Sequence, residues 1–86
     1  MDTSTAWQQL FEQWPSSRPR IGIVIAEAQE PIAFTNFLAG SGILALERER
    51  PDTQGARKVL LAFSAITAVK FIDTTDFADL QQLGLE

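Results

Sequence analysis

The sequence predicts a mainly β domain: a small, strongly bent, five-stranded barrel with an N-terminal helix and a short C-terminal helix. Three observations predict it. Apolar residues in the first fifteen positions recur with a helical period, and the chain then switches to short alternating or apolar runs. Five such runs follow closely on one another, separated by turn residues: Pro31, Gly40-Ser41-Gly42, Pro51 to Gly55, and Ser64-Ala65. The chain of 86 residues is the size of one domain, 1–86.

Trp7, Leu10, Phe11 and Trp14 lie at i, i+3, i+4 and i+7, on one face of a helix over residues 5–14. Thr5 with Gln8 three residues on reads as a capping box, and Pro15 ends the helix. An aromatic stripe of this kind packs on a core far more often than it holds a ligand. In the first strand, 20–27, Ile21, Ile23 and Ile25 face one side while Gly22, Val24 and Ala26 face the other. Gly22 is the point where a small barrel can bend sharply. Residues 29–31 turn the chain into a second strand, 32–39, rich in β-formers.

Gly40-Ser41-Gly42 is a tight turn or bulge before a third strand, 42–50. A phosphate loop would need a following helix and a lysine, whereas Ile43-Leu44-Ala45-Leu46 continues as a strand. Residues 51–55 then turn into a fourth strand, 57–63, and the charges flanking that turn can pair across the hairpin. From Val59 to Phe63 this strand is apolar at every position, which predicts that both faces are covered, one of them by another subunit. Ser64-Ala65 makes a very short connection to the fifth strand, 66–72. Residues 73–75 offer a helix cap, and Phe77, Leu80 and Leu83 lie on one face of a helix over 76–83 that Gly84 stops.

The chain has no cysteine and no histidine. That excludes thiol nucleophiles, Cys/His zinc sites, histidine-ligated haem and Ser-His-Asp chemistry. The chain reads as a non-enzyme without cofactor, with no catalytic or metal-ligating residues. Carboxylates do pair in sequence, Glu27 with Glu30 and Asp73 with Asp76, but in turn and cap settings where acids are ordinary. The net charge of −4 argues against binding polyanions broadly. The local cluster Arg48, Arg50, Arg57 and Lys58 flanks one loop and is the candidate nucleic-acid contact, although Glu47, Glu49 and Asp52 are mixed into it.

Met1-Asp2-Thr3-Ser4 has no basic n-region, and the apolar runs are too short to cross a bilayer. A cytoplasmic protein without a membrane partner is therefore expected. A domain of this size buries only about 60% of its unfolded surface and has no disulfide to compensate, so copies of itself are the expected partners.

The order of helix and five strands, Gly55 opening a strand, and the Leu60 to Ile66 stretch ending in a tight turn together resemble the Sm-like family of Sm, Lsm and Hfq proteins. The resemblance covers about residues 7–73. It implies an Sm-like (SH3-like) barrel and a homo-oligomeric ring in which the fourth strand of one subunit pairs with the fifth of the next. Here that interface falls on Val59, Leu61, Phe63, Val69 and Phe71. It implies RNA as a ligand as well, yet the RNA-pocket positions differ. Ala39 and Ile43 stand where the first Sm motif has Asp and Asn, Ala62 and Phe63 where the second has Arg-Gly, and no Tyr-Lys-His run occurs. Two functions are expected: a ring-forming module that contacts RNA, or a homo-oligomeric protein-interaction scaffold without nucleic-acid binding.

Overall fold

A computed structural model describes residues 2–72, 76–82 and 84–85. Helix α1 spans Thr3–Glu12 and starts two residues before the predicted boundary, because Asp2 caps it rather than Thr5. The Thr5 amide and the Ser4 hydroxyl both donate to Asp2 Oδ1 at 2.8 Å. These bonds, the Thr5 amide foremost, hold the Asp2 carboxyl below its usual range. Gln8 has a different role from the predicted capping box. Its Oε1 accepts from the Gly42 amide at 3.0 Å and ties α1 to the sheet.

Five strands follow: β1 Gly22–Ala26, β2 Ile32–Gly40, β3 Ile43–Arg48, β4 Lys58–Ala62 and β5 Ile66–Lys70. A single 3₁₀ turn, Phe63–Ala65, joins the last two, and a short helix α2, Phe77–Gln81, ends the described chain. Asp76 caps α2 by accepting from the Asp79 amide at 3.1 Å. The predicted cap residue Asp73 and the helix residue Leu83 lie outside the described residues.

All the strands pair antiparallel in one sheet, in the order β4-β3-β2-β1-β5. The sequence predicts a strongly bent barrel; the described strands form one sheet that does not close on itself, with β4 and β5 as its two free edges. Helix α1 packs against the 3₁₀ turn and β2.

Turn geometry explains the β2–β3 hairpin. Gly40 pairs with Ile43, and the two residues between them have positive φ, 52° at Ser41 and 81° at Gly42. Two left-handed residues make the type I′ turn whose twist matches that of the strands. A register shift between Phe34 and Asn36 then places Phe34 and Phe37 on the same, buried face although they are three residues apart. The backbone groups beside this bulge are satisfied locally. Asn36 Oδ1 accepts from the Phe37 amide at 2.9 Å, and Arg20 Nη1 donates to the Phe37 carbonyl at 2.9 Å. The Arg20 guanidinium also lies 4.5 Å from the Phe37 ring centroid.

The core is an aromatic cluster centred on Phe11. Its ring lies 5.6 Å from Trp14, 4.9 Å edge-on from Phe37, 6.0 Å from Phe63 and 6.2 Å from Phe34. These rings leave little room opposite β1, so that strand turns only Gly22, Val24 and Ala26 inward. A Cβ on Gly22 would meet the Lys70 carbonyl oxygen at 2.9 Å and Phe34 Cζ at 3.0 Å. Gly22→Ala should accordingly cost about 1–3 kcal/mol through overpacking, read as a lower denaturant midpoint with an unchanged slope.

Candidate functional site

The two sheet edges are the most distinctive surface of the chain. The sequence predicts β4 covered on both faces, one of them by another subunit; within the single chain only the core side is covered. Leu61 is buried and Val59 half-buried on the core side, while Lys58, Leu60 and Ala62 are exposed, Leu60 by 69%. The backbone follows the same alternation. The Arg48 amide donates to the Arg57 carbonyl at 2.8 Å, and the Phe63 amide donates to the Gly42 carbonyl at 3.0 Å. In an antiparallel ladder, residues 57, 59, 61 and 63 then bond to β3, and the N–H and C=O of Lys58, Leu60 and Ala62 point away from the sheet.

The outer face beside this edge is apolar. Leu38, Ala45 and Leu60 stand in one row across β2, β3 and β4, and Gly40, Ile43 and Ala62 in the next. Leu38 is 74% exposed. A polar row of Asn36, Glu47 and Lys58 borders them, and a shallow groove of about 240 Å³ runs between the polar row and Leu38.

At the other edge, Val69 and Phe71 are half-buried against the core, with the Phe71 ring 5.3 Å from Trp14. Thr67 and Lys70 are exposed. Of the predicted interface residues, Leu61 and Phe63 thus belong to the core of their own chain, and Val59, Val69 and Phe71 pack against it. The side chains exposed at the β4 edge are those at alternate positions, Lys58, Leu60 and Ala62. The signal for them was the period of two counted back from Phe63, which packs inward.

The structure does not gather the four predicted basic residues into one patch. Lys58 Nζ pairs with Glu47 Oε2 at 3.0 Å on the outer face. Arg48 and Arg57 sit opposite each other on the alternate parity, and Arg48 Nε donates to the Arg50 carbonyl at 3.0 Å. Arg50 and Arg57 make no ion pair among the described residues.

Asp52 organises the tip of this hairpin. Its Oδ1 accepts from the amides of Gln54 and Ala56, each at 2.8 Å. The Ala56 amide, then that of Gln54, holds the carboxyl below its ordinary 3.8. Because the folded form is the stronger acid, the support Asp52 gives the turn is complete above 3.8 and is lost as pH falls below it. Amide shifts of Gln54 and Ala56 should titrate with a midpoint below 3.8, and Asp52→Asn should abolish that titration.

Among the described residues, the remaining acids bring no shared pocket together; Asp73 of the predicted Asp73–Asp76 pair lies outside them. Glu27 and Glu30 are exposed on either side of a turn in which Ala28 has φ 58°. Among the described residues, no group of three or more His, Cys, Asp or Glu is placed to hold a metal ion, and no helix is long and apolar enough to cross a membrane. No family model, curated protein or solved structure matches the chain.

Proposed function

We propose that this chain is a self-assembling β module, in which the β4 edge of one copy pairs with the β5 edge of the next to close an Sm-like ring of bent barrels. One observation carries the reading: the two unpaired strands are the opposite edges of a single five-stranded sheet. A contact between two different edges is head-to-tail, and it closes into a ring when the rotation between copies allows. The β4 edge lacks the devices that keep edges apart. Its exposed side chains are Leu60, Ala62 and a single charge, Lys58, and it contains no proline or bulge.

The same reading favours a protein-assembly scaffold over an RNA-binding ring. The chain is acidic, Lys58 is neutralised by Glu47 on the outer face, and Arg48 and Arg57 lie on the opposite parity from it. Light scattering of the purified protein at micromolar concentration should give an oligomer, with an absorbance ratio at 260 and 280 nm free of nucleic acid. A monomer overturns the reading. Anisotropy titration with short U-rich and A-rich RNA at low salt should show no binding, and micromolar binding would restore the RNA-ring alternative.

A further inference from the structure

Two exposed features at opposite ends of the sheet are complementary. At the β4 end, the outer face presents Leu38, Ala45 and Leu60 beside the groove of about 240 Å³, with Lys58 on its border. The hairpin next to it carries four bases, Arg48, Arg50, Arg57 and Lys58, against three acids, Glu47, Glu49 and Asp52, in a chain of net charge −4. At the β5 end, residues 71–86 carry Asp73, Asp76, Asp79 and Glu86 and no base. That segment also exposes three large apolar side chains, Ile72 by 56%, Phe77 by 81% and Leu85 by 52%. Asp79 pairs with Arg18 at 3.2 Å, which fastens α2 to its own chain with Phe77 left in solvent.

Charge selects the direction in which the edges meet. Antiparallel pairing of β5 with the β4 of a neighbour carries the end of β5 toward the start of that β4, at Arg57 and Lys58. The acidic segment then follows directly onto the basic hairpin. Parallel pairing would carry it to the opposite end of β4, at Ala62, where no base stands nearby in sequence.

We propose that the α2 segment after β5 docks on a second copy of this chain, with Phe77 seated against Leu38 in the neighbour's outer groove and the exposed Asp76 beside it facing the neighbour's basic hairpin. This rests on the edge-to-edge assembly proposed above and adds a second contact to it. It also gives the basic hairpin of an acidic protein a protein partner.

The cysteine-free background supplies a direct test. The double variant Leu38→Cys with Phe77→Cys, mildly oxidised, should run on a denaturing gel as a ladder of covalent multimers, whereas either single variant should give no ladder. Both positions are largely exposed, so the substitutions leave the core alone. Phe77→Ser should in addition raise the midpoint concentration of assembly by about tenfold, the loss expected for an exposed aromatic anchor. An oligomeric wild type with no ladder and an unchanged midpoint for Phe77→Ser overturns the docking and leaves the edge pairing standing. A monomeric wild type overturns both.

Discussion

Phe11→Ala is expected to leave most of the protein unfolded at ambient temperature. Phe11 is 1% exposed and is the hub of the core, in ring contact with Trp14, Phe34, Phe37 and Phe63. Truncating a buried phenylalanine costs about 3–5 kcal/mol in lost transfer energy and residual cavity. A domain of this size stands near the lower end of the usual 5–15 kcal/mol of stability, so the loss consumes most of it. The cavity cannot close easily, because Phe34 and Phe37 are held in β2 by its ladders on both sides, and Trp14 and Phe63 close the ring of contacts from the end of α1 and the 3₁₀ turn. Thermal or urea unfolding followed by circular dichroism measures the effect. Phe11→Leu should retain the fold with a lower midpoint, and a loss under about 1 kcal/mol for Phe11→Ala would show that Phe11 is not the hub.

Two neighbouring proline substitutions in β4 should have opposite outcomes. Leu60→Pro removes an N–H that points away from β3 and replaces a side chain that is 69% exposed. Proline is tolerated at such a position, and Val59 before it is already extended. The variant should fold and remain monomeric at concentrations where the wild type assembles. Leu61→Pro instead breaks a bond to β3 and displaces a core side chain, and it should unfold the chain at a cost of about 3 kcal/mol or more. A folded Leu60→Pro variant that assembles like the wild type would rule out pairing through β4.

The sequence carried the order of elements because local signals mark each of them. The stripe Trp7, Leu10, Phe11 and Trp14 predicts a helix face; the helix ends at Glu12, two residues before the predicted boundary, and all four side chains still pack in or against the core. The five strands lie where the apolar runs lie: β2 runs one residue further, to Gly40, and the other four are shorter by one or two residues at one or both ends. Less was legible where a longer-range contact decides. Asp2 wins the cap because its carboxylate reaches the Thr5 amide, which frees Gln8 for Gly42 in the hairpin turn. The extra residue at Thr35 cannot be read from composition, yet it alone lets Phe34 and Phe37 share a face. The candidate site was legible as a strand and not as side chains. An unbroken apolar run such as Val59 to Phe63 hides its period of two, so it does not tell the core-facing Leu61 and Phe63 from the exposed Leu60 and Ala62.

Hydrogen exchange at the Leu60 amide reports directly on whether the β4 edge is paired with another copy. In a single copy this N–H faces away from the ladder. In the assembly it bonds to β5 of the next copy. Leu60 should be strongly protected at assembling concentrations and lose that protection on dilution, while the ladder amide of Leu61 stays protected in both. A Leu60 amide that exchanges as freely in the oligomer as in the monomer would contradict it.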